Sequence, residues 1–215
     1  MHTHRRKPEA GVLQIMNLMP CDLPPEGQYF SAGLHPWYVQ ESNWESQLQW
    51  INALVGHPEL VAIGECGIDM LYPDPAMQSH VFELQAALAQ QHRLPLILHA
   101  VRSHDRLIAI RRNLRSSNPW IVHGFSSRPS IAKQYLDHGF YLSFGAALFN
   151  ANATITESFR LCPEDRIFLE TDNHAVKLNE LYHRAAALRG MQTTQLASRI
   201  YRNFVNCFGL TPHGG

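Results

Sequence analysis

Seven short apolar runs, separated by longer stretches of helical period, punctuate this chain of 215 residues. The runs cover residues 12–16, 29–34, 60–63, 94–98, 120–122, 140–144 and 167–169. Each is nearly continuous in apolar character, which predicts parallel strands buried on both faces. Between them, a helix opening at Asn43 or Glu41 runs to Val55. Asp74-Pro75 predicts a second start, a capping carboxylate ahead of a proline at the first helical position. The helix that follows puts Met77, Val81, Leu84 and Leu88 on one face. Residues 105–114 gather Leu107, Ile110 and Leu114, with Arg111, Arg112 and Arg115 on a solvated side. A helix opening at Pro129 is closed by Gly139, and two more cover 178–189 and 193–208.

Strands alternating with helices predict a parallel α/β architecture. The count points to a compact TIM (β/α)8-type barrel, one domain spanning residues 1–215. An eighth strand would precede or include the first residues, and it is incomplete if Met1 is the true start. A doubly wound open sheet is the alternative, but its usual Gly-x-Gly-x-x-Gly turn is absent.

Composition narrows the class. Lys plus Arg and Asp plus Glu number 18 each, and 45% of residues are hydrophobic, which excludes a disordered chain. No apolar run reaches the roughly 18 residues of a membrane-spanning helix. The N-terminal segment His2 to Lys7 has no apolar stretch behind it, so no secretory signal is expected. The four cysteines contain no Cys-x-x-Cys pair, which argues against a cysteine zinc site and fits a reducing cytoplasm. Histidine is the outlier, with 13 residues. Charge is uneven: residues 93–133 hold eight Lys or Arg against one acid, Asp105, and such a stretch attracts phosphates.

The residues ending the apolar runs carry the chemistry. They are Glu65, His99, His123 and Asp172, with His2-Thr3-His4 at the start. Two histidines one residue apart share a strand face and can reach one ion. Barrel enzymes gather their active sites at the C-terminal strand ends, and imidazole with carboxylate suits zinc, manganese or similar ions. Each residue alone reads more simply as a buried histidine or a helix cap. Six such residues on separate strand ends read as a metal site.

His2-Thr3-His4, Gly33-Leu34-His35-Pro36, Gly64-Glu65-Cys66-Gly67-Ile68-Asp69, Leu96-Ile97-Leu98-His99, His123-Gly124-Phe125-Ser126 and Leu169-Glu170-Thr171-Asp172 follow one another in the order of the TatD family of metal-dependent hydrolases, which this chain resembles. The resemblance implies a TIM barrel with one to three divalent ions, Zn, Mg or Mn. It places His2, His4, Glu65, His99, His123 and Asp172 as metal ligands. Glu65 would bridge two ions, with His2, His4 and Asp172 on one and His99 and His123 on the other. It implies phosphodiester hydrolysis by metal-bound hydroxide, with Asp172 as general base and Glu65 holding the ions together. Where the family has an arginine two residues after the fourth motif's histidine, this chain has Val101 and then Arg102. Arg102 takes that place only if the chain has already left the strand there.

His35, Arg102 and Arg128 are the expected phosphate contacts. Asp69 and Glu170 are candidates for orienting ligands. Trp37 and Phe149 read as core or barrel rim, while Phe125 and Tyr72 remain open as base-stacking residues. The expected substrates are DNA ends or another phosphate or ester, and zero net charge favours short or single-stranded ends over long duplex. No membrane and no obligate protein partner is expected. The same metals would serve an ester or amide hydrolase acting on a small molecule or an aminoacyl-tRNA. A non-catalytic remnant that binds a partner is the third reading.

Overall fold

Strands and helices alternate through the computed structural model, which describes the backbone of residues 2–3 and all of 12–150, 153–172 and 176–210. His4 and the side chain of His2 lie outside the described residues. The strands are β1 (His2–Thr3), β2 (Ile15–Leu18), β3 (Phe30–Ala32), β4 (Leu60–Asp69), β5 (Leu96–Val101), β6 (Trp120–Val122), β7 (Tyr141–Phe144) and β8 (Ile167–Leu169). The helices are α1 (Trp44–Leu54), α2 (Pro75–Gln91), α3 (His104–Asn113), α4 (Pro129–Asp137), α5 (Ala153–Leu161), α6 (Leu178–Arg189) and α7 (Thr193–Phe208). None of the helices among the described residues is long and apolar enough to cross a membrane.

The chain forms two compact units, His4–Ile121 and Val122–Gly215 with Met1–Thr3. In the first, β2 to β5 run parallel in chain order, with Met16 opposite Phe30, Ser31 opposite Ala62 and Gly67 opposite His99. Every residue of β4 is buried. Trp120 is fully buried and meets Phe82 edge-on at 5.4 Å. In the second unit β7 and β8 are parallel, with Leu142 opposite Ile167. Its core includes Phe144 edge-on to Phe159 at 5.1 Å.

Several elements follow their local signals closely. Asp74 caps α2 by accepting from the Met77 N–H at 2.9 Å, ahead of Pro75. Gly190 and Gly209 end α6 and α7 in the left-handed conformation. Others differ from the expectation. The β2 strand begins at Ile15 rather than at residue 12. The α5 helix was not expected. The strands β4 and β5 continue through Glu65 and His99 instead of ending at them. Polar groups and glycines interrupt the apolar run there, while the backbone ladder carries on.

Two glycines explain how β4 can pass so close to β5. A Cβ on Gly67 (φ 138°) would lie 2.1 Å from the His99 carbonyl oxygen, and one on Gly64 (φ 148°) would lie 2.5 Å from that of Ile97. Only glycine fits this approach and this backbone. The ladder shifts register between Ile63 and Cys66, and this irregularity carries Glu65.

The expected stripe on α2 also needs correction. Met77, Leu84 and Leu88 are half-buried, whereas Gln78, Val81, Phe82, Gln85, Ala86 and Ala89 are buried. The two glutamines belong there because each satisfies strand-end backbone. Gln85 Oε1 accepts from the Leu34 N–H at 2.7 Å and its amide donates to the Leu34 carbonyl at 3.3 Å. Gln78 Oε1 accepts from the Asp69 N–H at 2.8 Å. Arg111 is likewise not a simple solvated residue. It lies 5.3 Å from the Trp120 ring centroid and donates to the Asn118 carbonyl at 2.9 Å. Arg112 and Arg115 are exposed, as expected.

Candidate metal centre

The first unit brings His35, Glu65 and His99 together, with one ligand atom from each lying within 4.8 Å of the others. Glu65 is 4% exposed, and its backbone N–H donates to Asn17 Oδ1 at 2.9 Å, which ties β4 to β2 at this point. Its Oε1 lies 3.1 Å from both His35 Nε2 and His99 Nδ1. The other nitrogen of His99, Nε2, lies 3.1 Å from Asp69 Oδ2. A neutral imidazole has one N–H to give, and here it faces two carboxylates. An extra proton shared among the three groups, or a cation in one of the two places, reconciles them. The donor set therefore fits a divalent ion at Glu65 and His99, with Asp69 orienting the ring from behind.

Burial alone would raise the Asp69 carboxyl, but hydrogen bonds from the Trp37 indole, the Leu71 N–H and His99 outweigh it and hold the group below the usual carboxylate range. An ionised Asp69 is an acceptor for a proton on His99 Nε2, and that tautomer leaves Nδ1 unprotonated on the side of Glu65.

His35 stands differently. It precedes the short helical turn Pro36–Tyr38, and its Nδ1 accepts from the Trp37 N–H at 3.2 Å. While that bond holds, Nε2 carries the proton and donates toward Glu65. This makes His35 a donor, and the anion it faces is Glu65. It becomes a ligand only by giving up the Trp37 bond. Cys66, next to Glu65, is fully buried, and burial pushes its thiol far up.

The second unit holds a separate cluster around Glu170, which is 1% exposed. Its carboxylate accepts from the Gly124 N–H and from the Ser143 hydroxyl at 2.7 Å, and lies 3.5 Å from His123 Nδ1. Asp172 follows two residues later, half-buried, with φ 45°. Arg128 is exposed at the start of α4. Arg102 follows the end of β5 in a left-handed turn (φ 51°), so the chain has left the strand as its expected role requires.

The aromatic expectation changes most. Trp37 is not core: it is 42% exposed and stacks on Tyr72, itself 41% exposed, with ring centroids 4.9 Å apart and planes 13° apart. Its indole N–H donates to Asp69 Oδ2 at 2.7 Å. Phe149 is also exposed, whereas Phe125 is buried against Phe144. Gln78 and Gln85, which fix the backbone on either side of the centre, escaped the sequence reading because buried glutamines break an apolar stripe. Their seven-residue spacing on the inner face of α2 was the available signal.

The sequence pattern of the family described as TatD related DNase matches residues 22–209. An uncharacterized metal-dependent hydrolase of Haemophilus influenzae is 31% identical over 77% of this chain and 65% of its own. The 3'-5' ssDNA/RNA exonuclease TatD of Erwinia tasmaniensis is 28% identical over 86% of this chain and 80% of its own. The chain thus spans 65% of the length of the first relative and 80% of the second. Among solved structures, the TatD homologue YjjV of Escherichia coli K12 superimposes with a TM-score of 0.76 at 23% identity, over 92% of this chain and 86% of the other. At that identity the likeness shows the fold, the barrel-type α/β class that the alternation of strands and helices predicts. With the family's pattern running through most of the chain and its motifs in order, the protein belongs to the TatD-related DNase family.

Proposed function

We propose that the chain is a divalent-metal-dependent hydrolase of phosphodiester bonds, a TatD-type nuclease acting at the ends of single-stranded nucleic acid. The observation that carries this reading is the His99 imidazole held between two carboxylates, Glu65 and Asp69, at 3.1 Å on either side. The activity for which the Erwinia relative is named supports the choice of substrate.

In this reading His2, His4, Glu65, His99, His123 and Asp172 hold the ions, Zn, Mg or Mn, and residues 1–215 act as one hydrolase domain. When bound, the ions lower the pKa of a water and offset the charge that builds on the phosphate oxygens. The protein does the rest. The Asp172 carboxylate takes the proton of the attacking water. The His35 Nε2–H, oriented by the Trp37 N–H at Nδ1, donates to a phosphate oxygen. The guanidinium groups of Arg102 and Arg128 pair with flanking phosphates. Asp69 and Glu170 keep His99 and His123 in their ligating tautomers.

The test is metal content per chain after purification without chelator, together with hydrolysis of a single-stranded oligonucleotide, for the wild type and for Glu65→Ala. One to two ions and end-directed cleavage, both reduced in the variant, are expected. Cleavage by Glu65→Ala at the wild-type rate would sink the proposal.

A further inference from the structure

The Trp37–Tyr72 stack has no part in the core. Two large aromatic rings stand about two-fifths exposed, with Tyr38, Met70 and Leu71 exposed beside them. Burying such rings is the usual way to gain from them, and a contiguous exposed apolar patch marks a binding surface.

This patch is built and aimed. Both of its rings hang from Asp69: the Trp37 indole donates to Oδ2 at 2.7 Å, the Leu71 N–H donates to Oδ1 at 2.9 Å, and the Tyr72 N–H donates to the Asp69 carbonyl at 3.2 Å. Trp37 also stands edge-on to His35 at 4.8 Å and to His99 at 5.4 Å between ring centroids. The stack therefore begins where the candidate metal centre ends. The backbone that carries Arg102 runs alongside, because Met70 donates its N–H to the Val101 carbonyl at 3.0 Å and Arg102 comes next. Aromatic faces beside a guanidinium are the means by which single strands are held without sequence preference.

We infer that the Trp37–Tyr72 stack is a nucleobase subsite, taking an unpaired base of the strand whose phosphate lies at the His35–Glu65–His99 centre, with Arg102 on the neighbouring phosphate. The inference rests on the proposed nuclease function and adds how the strand is placed. A base within a duplex is already stacked and does not reach such a platform, so the subsite selects single-stranded ends.

The test is binding of a short fluorescent deoxyoligonucleotide, and of the same strand with abasic terminal residues, to chelator-treated protein. The proteins are the wild type, Tyr72→Leu and Tyr72→Phe. The leucine variant is expected to bind the base-containing strand about tenfold more weakly, with the abasic strand unaffected and the phenylalanine variant like the wild type. Equal binding of both strands by the leucine variant and the wild type would overturn the inference, even if the oligonucleotide is cleaved. Loss of self-association in Tyr72→Leu with unchanged strand binding would also overturn it. Base-dependent, Tyr72-dependent binding without hydrolysis under any divalent metal would uphold the subsite and refute the nuclease reading instead.

Discussion

Asp69 Oδ2 lies 3.1 Å from His99 Nε2, on the opposite side of the ring from Glu65 Oε1, 3.1 Å from Nδ1. Replacing the aspartate by asparagine keeps the size but removes the charge that fixes the tautomer. Asp69→Asn is expected to weaken zinc or manganese binding by about 10–100-fold while the far-ultraviolet circular dichroism is unchanged. Calorimetric titration of the metal-free protein measures it. Unchanged metal affinity would show that Asp69 does not orient a ligand.

Glu170 lies beside His123 in the second unit. Its carboxylate gathers the Gly124 N–H, the Ser143 hydroxyl and His123 Nδ1. Glu170→Gln is expected to lower the turnover number about 10–100-fold with little change in KM, since it disturbs a ligand's orientation rather than the substrate's contacts. Ser143→Ala is expected to have a smaller effect in the same direction. A rise in KM alone would place Glu170 at the substrate instead.

Gln85 holds both backbone groups of Leu34, the residue before His35. Gln85→Leu leaves a buried N–H without its acceptor and is expected to cost about 1–3 kcal/mol of stability. Urea unfolding monitored by tryptophan fluorescence reads it. Gln90, on the same helix but donating to the Leu114 carbonyl at 3.3 Å, provides the control. Gln90→Leu should leave the affinity for metal unchanged.

Arg111 and Arg112 are sequence neighbours with different surroundings. The first stacks over Trp120 and bonds the Asn118 carbonyl, and the second is exposed. Arg111→Ala is expected to cost about 1 kcal/mol and Arg112→Ala less than about 0.5 kcal/mol. Equal thermal midpoints for the two variants would refute the distinction.

The fold was most legible where local signals and burial agree. The helices α6 and α7 occupy the predicted residues because their stripes are apolar and a left-handed glycine closes each. The strands β6 and β8 coincide with their apolar runs. Legibility failed where chemistry interrupts the pattern. Glu65 and His99 look like strand ends in an apolar count, but the ladder runs through them, because a polar side chain does not stop backbone pairing. The ligand candidates Glu65 and His99 were readable from motif and order. Trp37 was not, since its sequence neighbourhood does not reveal that its indole is tied to a carboxylate 32 residues away. The buried glutamines were hidden for the same reason: their partners are backbone groups of distant strands.

Gln78 and Gln85 work as a gauge. They stand seven residues apart, about two helical turns, and each grips the backbone of a different strand, Asp69 on β4 and Leu34 just past β3. The number of residues between them is fixed whatever their side chains. One residue added between the two glutamines turns one grip about 100° away from the other, and it would release either the carboxylate behind His99 or the loop that presents His35. Length changes along α2 are therefore confined to the helix beyond Gln85, which makes the interval between two remote amides as binding on the centre as the ligands themselves.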